Sequence, residues 1–416
     1  MIEPLGNSAT TVTITMKPGS ADPLVDVPFS SSGTVNRSND APLADRLHLV
    51  IDRALARNRI VGTAILVARD GGIVFARAAG FADRENGQPV RADTIFRLAS
   101  MTKPIVSAAT LALAEQGKIH LDDPVTRWLP DFRPALSNGH RPTITVRHLL
   151  THTAGLNYGF KESPDGPYHR VQVSDGLEQP GLAIDENLRR LASVPLLYPP
   201  GNIWHYSLAI DVLGEVVARA SHASLPKMIA QLVTGPLAMK DTTFSVSDAT
   251  RLATAYADAE PQPVRMNDPH VVRNEDEVIT FSPSRVFDPN SHPSGGVGMI
   301  GTAQDYLIFL EALRTRNNSI LQPESIELMT KNAIGALPAP SLDPGWRFGL
   351  GFAVLEDPKP TASPRNPGSW RWGGVYGNSF WVDPAACLSV VALTNTAVAG
   401  MTGDFRDSVV RAVYGI

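Results

Sequence analysis

Apolar positions change their period four times along the chain. Over residues 43–58, Leu47, Val50, Ile51 and Leu55 recur at helical spacing and predict an amphipathic helix. The next segment reads as a hairpin. Residues 63–69 are apolar and β-branched, Asp70-Gly71-Gly72 is turn-like, and residues 73–77 return as a second strand. Residues 100–116 predict another helix. Pro104 falls early in it, where a missing N–H donor matters little, and Gly117 suits the position just past its end. Ala108, Ala109, Leu111, Ala112, Leu113 and Ala114 leave this helix almost no polar face, so it should be buried.

From residue 119 to about 290 strand signals nearly vanish. Short helical stretches (145–151, 185–192, 208–220 and 225–232) alternate with long Pro- and Gly-rich loops. Aromatic or β-branched runs return at 349–355, 369–376, 378–382 and 388–394, punctuated by Gly377 and Asp383-Pro384. A helix over 403–413 follows. The two ends share a β character that the middle lacks. This predicts an α+β fold, with one antiparallel sheet built from residues 43–118 and 291–416. A mainly helical domain, residues 119–290, is inserted between them. Residues 1–42 read as a loosely held extension rich in Ser, Thr, Asn, Pro and Gly, with one short strand expected at 10–15.

Composition narrows the function class. A chain of 416 residues makes two domains, or one with a large insertion. Its 37 basic and 41 acidic residues give a net charge of −4, with no dense Lys/Arg run, which argues against a nucleic-acid partner. No apolar stretch reaches the roughly 18–20 residues of a membrane span. The start, Met1-Ile2-Glu3-Pro4-Leu5-Gly6, shows neither the basic nor the apolar segment of a signal peptide. A cytoplasmic protein is the expectation. The single Cys387 excludes an intramolecular disulfide and a cysteine-cluster metal site.

Ser100-Met101-Thr102-Lys103 is the first candidate for chemistry. Positions i and i+3 share a helix face, so the Lys can reach the Ser hydroxyl. The helix N-terminus also favours developing negative charge. The plain alternative is an N-cap Ser with a solvated Lys. Ser224-Leu225-Pro226-Lys227 is a second match, but its helix is shorter and more mixed, so Lys227 should be at the surface. Burial of the first helix would desolvate Lys103.

Such a serine still needs a base. Holding a Tyr as phenolate at pH 7 costs about 4 kcal/mol, which an adjacent ammonium in a partly dry site can offset. Tyr206, after the Pro199-Pro200-Gly201 turn and before a helix, is the candidate; the alternative is a core or interface Tyr. No Gly-x-Ser-x-Gly elbow occurs. His148 and His152 stand at i, i+4 without a third ligand at a usual spacing, and read as structural. Asp122-Asp123-Pro124 reads as a helix or turn start. There is no phosphate loop or dinucleotide fingerprint.

Four motifs occur together and in order: Phe96-Arg97-Leu98-Ala99-Ser100-Met101-Thr102-Lys103; Leu149-Leu150-Thr151-His152-Thr153-Ala154-Gly155-Leu156; Tyr206-Ser207-Leu208; and Trp372-Gly373-Gly374-Val375-Tyr376-Gly377. In this combination the chain resembles the serine β-lactamase and penicillin-binding protein superfamily, from about Leu43 onward. It looks most like the family VIII carboxylesterases on the class C β-lactamase fold.

The resemblance implies a central antiparallel sheet flanked by helices plus a helical domain. It implies Ser100 as the acylated nucleophile, with Lys103 and Tyr206 as general base and then acid. The oxyanion hole would be the N–H groups of Ser100 and Val375. Trp372-Gly373-Gly374 falls where β-lactamases carry Lys-Thr-Gly, and Leu208 falls where they carry a lactam-binding Asn. Losing both polar anchors disfavours an anionic lactam and adds apolar surface suited to an ester.

Two long loops are expected to shape specificity: 155–182, with Tyr158, Phe160 and Tyr168, and 255–296. The expected activity is hydrolysis of carboxylic esters, short-chain acyl esters above all, by an acyl-enzyme without metal or cofactor. The partner is a small-molecule ester. A β-lactamase, a D-alanyl peptidase, an acyltransferase and a sensor that acylates once remain the competing readings.

Overall fold

Strand pairing ties distant parts of the chain into one antiparallel sheet. The computed structural model describes residues 41–273 and 277–416. The short strand expected at 10–15 lies outside them. In chain order the sheet strands are β1 (Gly62–Arg69), β2 (Gly72–Asp83), β3 (Gln88–Pro89), β4 (Trp346–Phe348), β5 (Ala353–Leu355), β6 (Trp370–Gly374), β7 (Asn378–Asp383) and β8 (Leu388–Thr394). They lie side by side in the order β4-β5-β6-β7-β8-β1-β2-β3. The central pair joins β1 to β8, from Thr63 opposite Thr394 to Arg69 opposite Leu388.

Alternating side chains feed two cores, as the period of two requires. Trp381 and Val390 join Leu47, Ile51, Phe405 and Val409 on one face. There α1 (Ala41–Ala56) and α5 (Asp404–Tyr414) pack together. Phe380, Val391 and Leu393 join the larger core on the other face. That core also takes α2 (Thr102–Glu115), α3 (Ala209–Ser221) and α4 (Ala303–Thr315). Every residue of α2 from Thr102 to Leu113 is buried. Each buried Leu, Ile or Val there stabilises by about 1.5–3 kcal/mol, and Gly117 ends the helix at φ +69°.

The residues between α2 and α4 are less purely helical than their pattern suggests. Short helices do form at Val146–Leu150, Ile184–Ala192 and Leu225–Ile229. The stretch predicted to run as one helix to residue 232 changes to a π turn at Ala230–Thr234. Strands missed in the sequence form a hairpin, His270–Arg273 with Val278–Phe281. Tyr256–Ala257 also pairs with Val264–Arg265 and with Thr396–Ala397. These runs are only two to four residues long, too short to show a period. Of the run expected at 349–355 only Ala353–Leu355 is strand, as β5; residues 349–352 form the turn that joins it to β4, with Gly349 N–H donating to Phe352 O over 2.8 Å and Gly351 at φ +133°. No helix among the described residues is long and apolar enough to cross a membrane.

Candidate active site

Ser100 sits on a sharp turn that several elements hold in place. Phe96–Arg97 pairs with Ile300–Gly301, and a 3₁₀ turn, Ala99–Met101, then leads into α2. Ala99 has φ +46°, a left-handed conformation uncommon for any residue with a Cβ. Its surroundings impose it. Leu98 N–H donates to Met299 O over 2.9 Å. Asn378 Nδ2 donates to Arg97 O over 2.7 Å, and the Tyr306 hydroxyl to Met101 O over 2.9 Å. Strand β6 comes so close that a Cβ at Gly374 would lie 2.1 Å from Leu98 O. Only glycine allows that approach.

Lys103 and Tyr206 both converge on the Ser100 hydroxyl. Lys103 is 1% exposed; its Nζ donates to Ser100 Oγ over 3.2 Å and to Gly296 O over 2.9 Å. The Tyr206 hydroxyl donates to Ser100 Oγ over 2.6 Å. The Lys103 ammonium lies 4.6 Å from the Tyr206 ring centre.

Tyr206 is delivered by the extended segment before α3. Trp204 N–H donates to Pro338 O and His205 N–H to His152 O, each over 2.9 Å. The two histidines read as structural have separate structural roles. His148 caps its helix through Thr145. His152 packs its ring 4.9 Å from Tyr206. Burial, with Lys103 nearby, holds the His152 imidazole well below its usual range. It is neutral at pH 7, and it orients Tyr206.

Two further groups surround the ammonium, and the sequence did not single out the second. The Tyr158 ring lies 5.4 Å from Lys103 Nζ, and burial, then the nearby Tyr206, push its hydroxyl well above the ordinary value. Asp211, in the first turn of α3, is 3% exposed. Its Oδ1 accepts from the Ser294 hydroxyl and, over 3.2 Å, from Gly296 N–H. It thereby fixes the loop whose carbonyl receives Lys103. Burial raises its pKa, and the Lys103 ammonium opposes that rise. In sequence Asp211 looks like any acid favoured at a helix start.

The hydroxyl opens on a cavity of about 320 Å³ whose walls include Tyr158, Phe160, Trp372, Gly373 and Val375. Val375 N–H, just past β6, has no acceptor among the described residues. The Trp372 ring packs 5.2 Å from Tyr206. Leu208 corrects the expectation that it touches substrate. It is fully buried in the main core and does not reach the cavity, because its side chain packs inward where α3 begins. Tyr168 is likewise a core residue: Asn157 N–H donates to its hydroxyl over 2.8 Å. Of the 255–296 loop, Ile279 reaches the cavity. Ser224 lies instead on a separate open groove, and Lys227 is exposed.

The family model described as Beta-lactamase matches residues 47–414. Esterase EstB of Burkholderia gladioli is 48% identical over 377 residues, 90% of this chain and 96% of that protein. Monacolin J acid methylbutanoyltransferase of Aspergillus terreus is 27% identical over 82% of this chain and 88% of its own length. Among solved structures, one described as EstCE1, a hydrolase with promiscuous acyltransferase activity, superposes with a TM-score of 0.88. It is 45% identical and covers 91% of this chain and all of its own.

Proposed function

This chain belongs to the β-lactamase family, and we propose that within it the protein is a serine carboxylesterase acting through an acyl-enzyme on Ser100. One observation carries the reading. Ser100 Oγ lies within hydrogen-bond reach of both Lys103 Nζ and Tyr206 Oη, at the wall of a cavity lined largely by aromatic and apolar side chains. The esterase relatives support the same reaction.

In this reading Tyr206, as phenolate beside the Lys103 ammonium, takes the Ser100 proton as Oγ attacks the ester carbonyl. The negative oxygen of the tetrahedral intermediate is received by the N–H groups of Ser100 and Val375. As the carbonyl re-forms, the C–O bond to the alcohol breaks and Tyr206 returns the proton to the leaving oxygen. Water then enters by the same route. Its proton goes to Tyr206, its oxygen to the acyl carbon, and Ser100 leaves with the proton.

Trp372 stands where a lactam-binding cation would be and Leu208 lies in the core, so neither offers a polar anchor to a lactam. A cavity of about 320 Å³ suits short acyl groups. The division at residues 119 and 290 and a cytoplasmic location belong to the same proposal.

The test is covalent labelling by a fluorophosphonate with mapping of the modified peptide, followed by turnover of p-nitrophenyl butyrate. Ser100→Ala should lose both while staying folded, and Ser224→Ala should lose neither. Retained turnover in Ser100→Ala refutes the assignment. Acyl transfer is the second reading, favoured by the transferase among the relatives and by the acyltransferase activity in the description of EstCE1. An added alcohol that captures the acyl group, seen as a new ester product, would establish it.

A further inference from the structure

The cavity continues past the nucleophile, beside a gap in the sheet. Strand β5 pairs with β6 only at Ala353 opposite Arg371 and Val354 opposite Trp370. From Trp372 to Gly374 that side of β6 carries no strand among the described residues, and the cavity that holds Ser100 is also lined by Arg365, Arg371 and Arg406.

The cations at this far end are unevenly paired. Arg371 pairs with Asp343 and lies 4.0 Å from the Trp346 ring centre. Arg406 pairs with Asp407 at 2.7 Å. Arg365 has no carboxylate partner among the described residues. It is only 8% exposed, its guanidinium lies 4.9 Å from the Trp381 ring centre, and its side chain donates no hydrogen bond among the described residues, with Nε buried and unpartnered. Burial, then the neighbouring Arg371 and Arg406, push it down to about 10, so it remains a cation at neutral pH. Among the described residues the ion-paired carboxylates beside these three guanidiniums are Asp343 and Asp407, both about half exposed, and Glu277 lines the same cavity.

A buried cation without a partner is costly, and contacts with the Trp381 and Trp346 rings, 4.9 and 6.0 Å to their centres, do not replace the hydrogen bonds of its fork. A carboxylate supplies both the charge and the paired acceptors that a guanidinium fits. We propose that Arg365, with Arg371 and Arg406, forms a subsite for a carboxylate carried by the substrate at the end remote from the scissile bond. The preferred substrates are then esters that also bear a free acid. A strand rise of about 3.3 Å per residue puts Arg371 about 10 Å along β6 from Gly374, which sets the separation of acid and ester groups. The inference rests on the esterase reading of the same cavity.

Two matched pairs test it. One is mono-p-nitrophenyl suberate against its neutral methyl ester, with the acid on the acyl side. The other is the butyrate ester of 6-hydroxyhexanoic acid against its methyl ester, with the acid on the alcohol side. In one pair the acid should exceed its neutral partner by tenfold or more in kcat/KM, through KM. Arg365→Met should collapse that ratio, and Arg365→Lys should keep part of it. The ratio is taken within each variant, so a general loss of activity cancels. Calorimetry with suberate gives a readout independent of turnover: binding to the unmodified protein, and loss of binding in Arg365→Met. Hydrolysis of neutral esters with no preference for acid in either pair overturns the subsite, as does a preference or suberate binding that survives Arg365→Met. Failure to hydrolyse any ester overturns the esterase reading, and the calorimetry still decides the subsite.

Discussion

The contact between β6 and the Ser100 turn gives a sharp prediction for Gly374→Ala. The new methyl carbon would stand 2.1 Å from Leu98 O and 3.2 Å from its carbonyl carbon. Both are backbone atoms, fixed by Leu98 N–H donating to Met299 O and by Asn378 holding Arg97 O. Relief therefore requires β6 to retreat by about 1 Å, a strain of about 1–3 kcal/mol in a packed core. In the proposed mechanism the same retreat carries Val375 N–H away from the developing oxyanion. A 1 Å misplacement costs about 10²-fold in rate, and complete loss of one oxyanion donor costs about 10²–10³ in kcat.

Steady-state hydrolysis of p-nitrophenyl butyrate should thus show kcat down about 10²-fold with KM little changed, and thermal unfolding should show a fall of a few degrees. Gly373→Ala is the matched control. Its Cβ would meet the flexible Met401 Cγ at 2.9 Å, a side chain that can swing away, and the backbone Asn378 O at 3.0 Å, against the 2.1 Å approach at Gly374, so its loss should stay within about tenfold. A Gly374→Ala enzyme within threefold of the unmodified rate, or one no worse than Gly373→Ala, would refute the link between strand position and oxyanion geometry.

Two other outcomes follow from the site and the core. Tyr206→Phe removes the 2.6 Å hydrogen bond to Ser100 and should lower kcat by about 10²–10⁴ at similar KM, measured on the same ester with folding checked by circular dichroism. Asp305, whose carboxyl is pushed up to about 6 chiefly by burial, is destabilising once ionised. Its contribution is full below the pKa of the unfolded chain and is lost as pH rises through about 6. The gap between Asp305→Asn and the unmodified protein in unfolding temperature should therefore grow in favour of Asn between pH 4 and 6, then level off.

The long strands and the apolar helix were readable because their patterns were long enough to repeat. β1, β8 and α2 bury nearly every residue, and burial on that scale leaves a mark in composition. The pair Ser100 and Lys103 was readable from helical spacing, and Tyr206 from its neighbourhood. Asp211 and Arg365 were not. Each is an ordinary charged residue in an ordinary context, and its meaning comes from burial against segments distant in sequence. Asp211 meets Ser294 and Gly296; Arg365 meets Trp381 and Arg406. Leu208 misled for the converse reason. Its place in the motif suggested a contact with substrate, yet its apolar side chain is fully buried in the core and does not line the cavity.

Placing β8 between β7 and β1 has a consequence for how the protein is made. The hairpin of β1 and β2 leaves the ribosome more than 300 residues before its central neighbour exists. At about 5–20 residues per second, Ile65 and Val67 wait tens of seconds with an open hydrogen-bonding edge, a template for pairing with other chains. Folding of the sheet is then dominated by a late, long-range closure, which is slow in general. Yield in cells should depend more on chaperone capacity and growth temperature than on the stability of the finished fold.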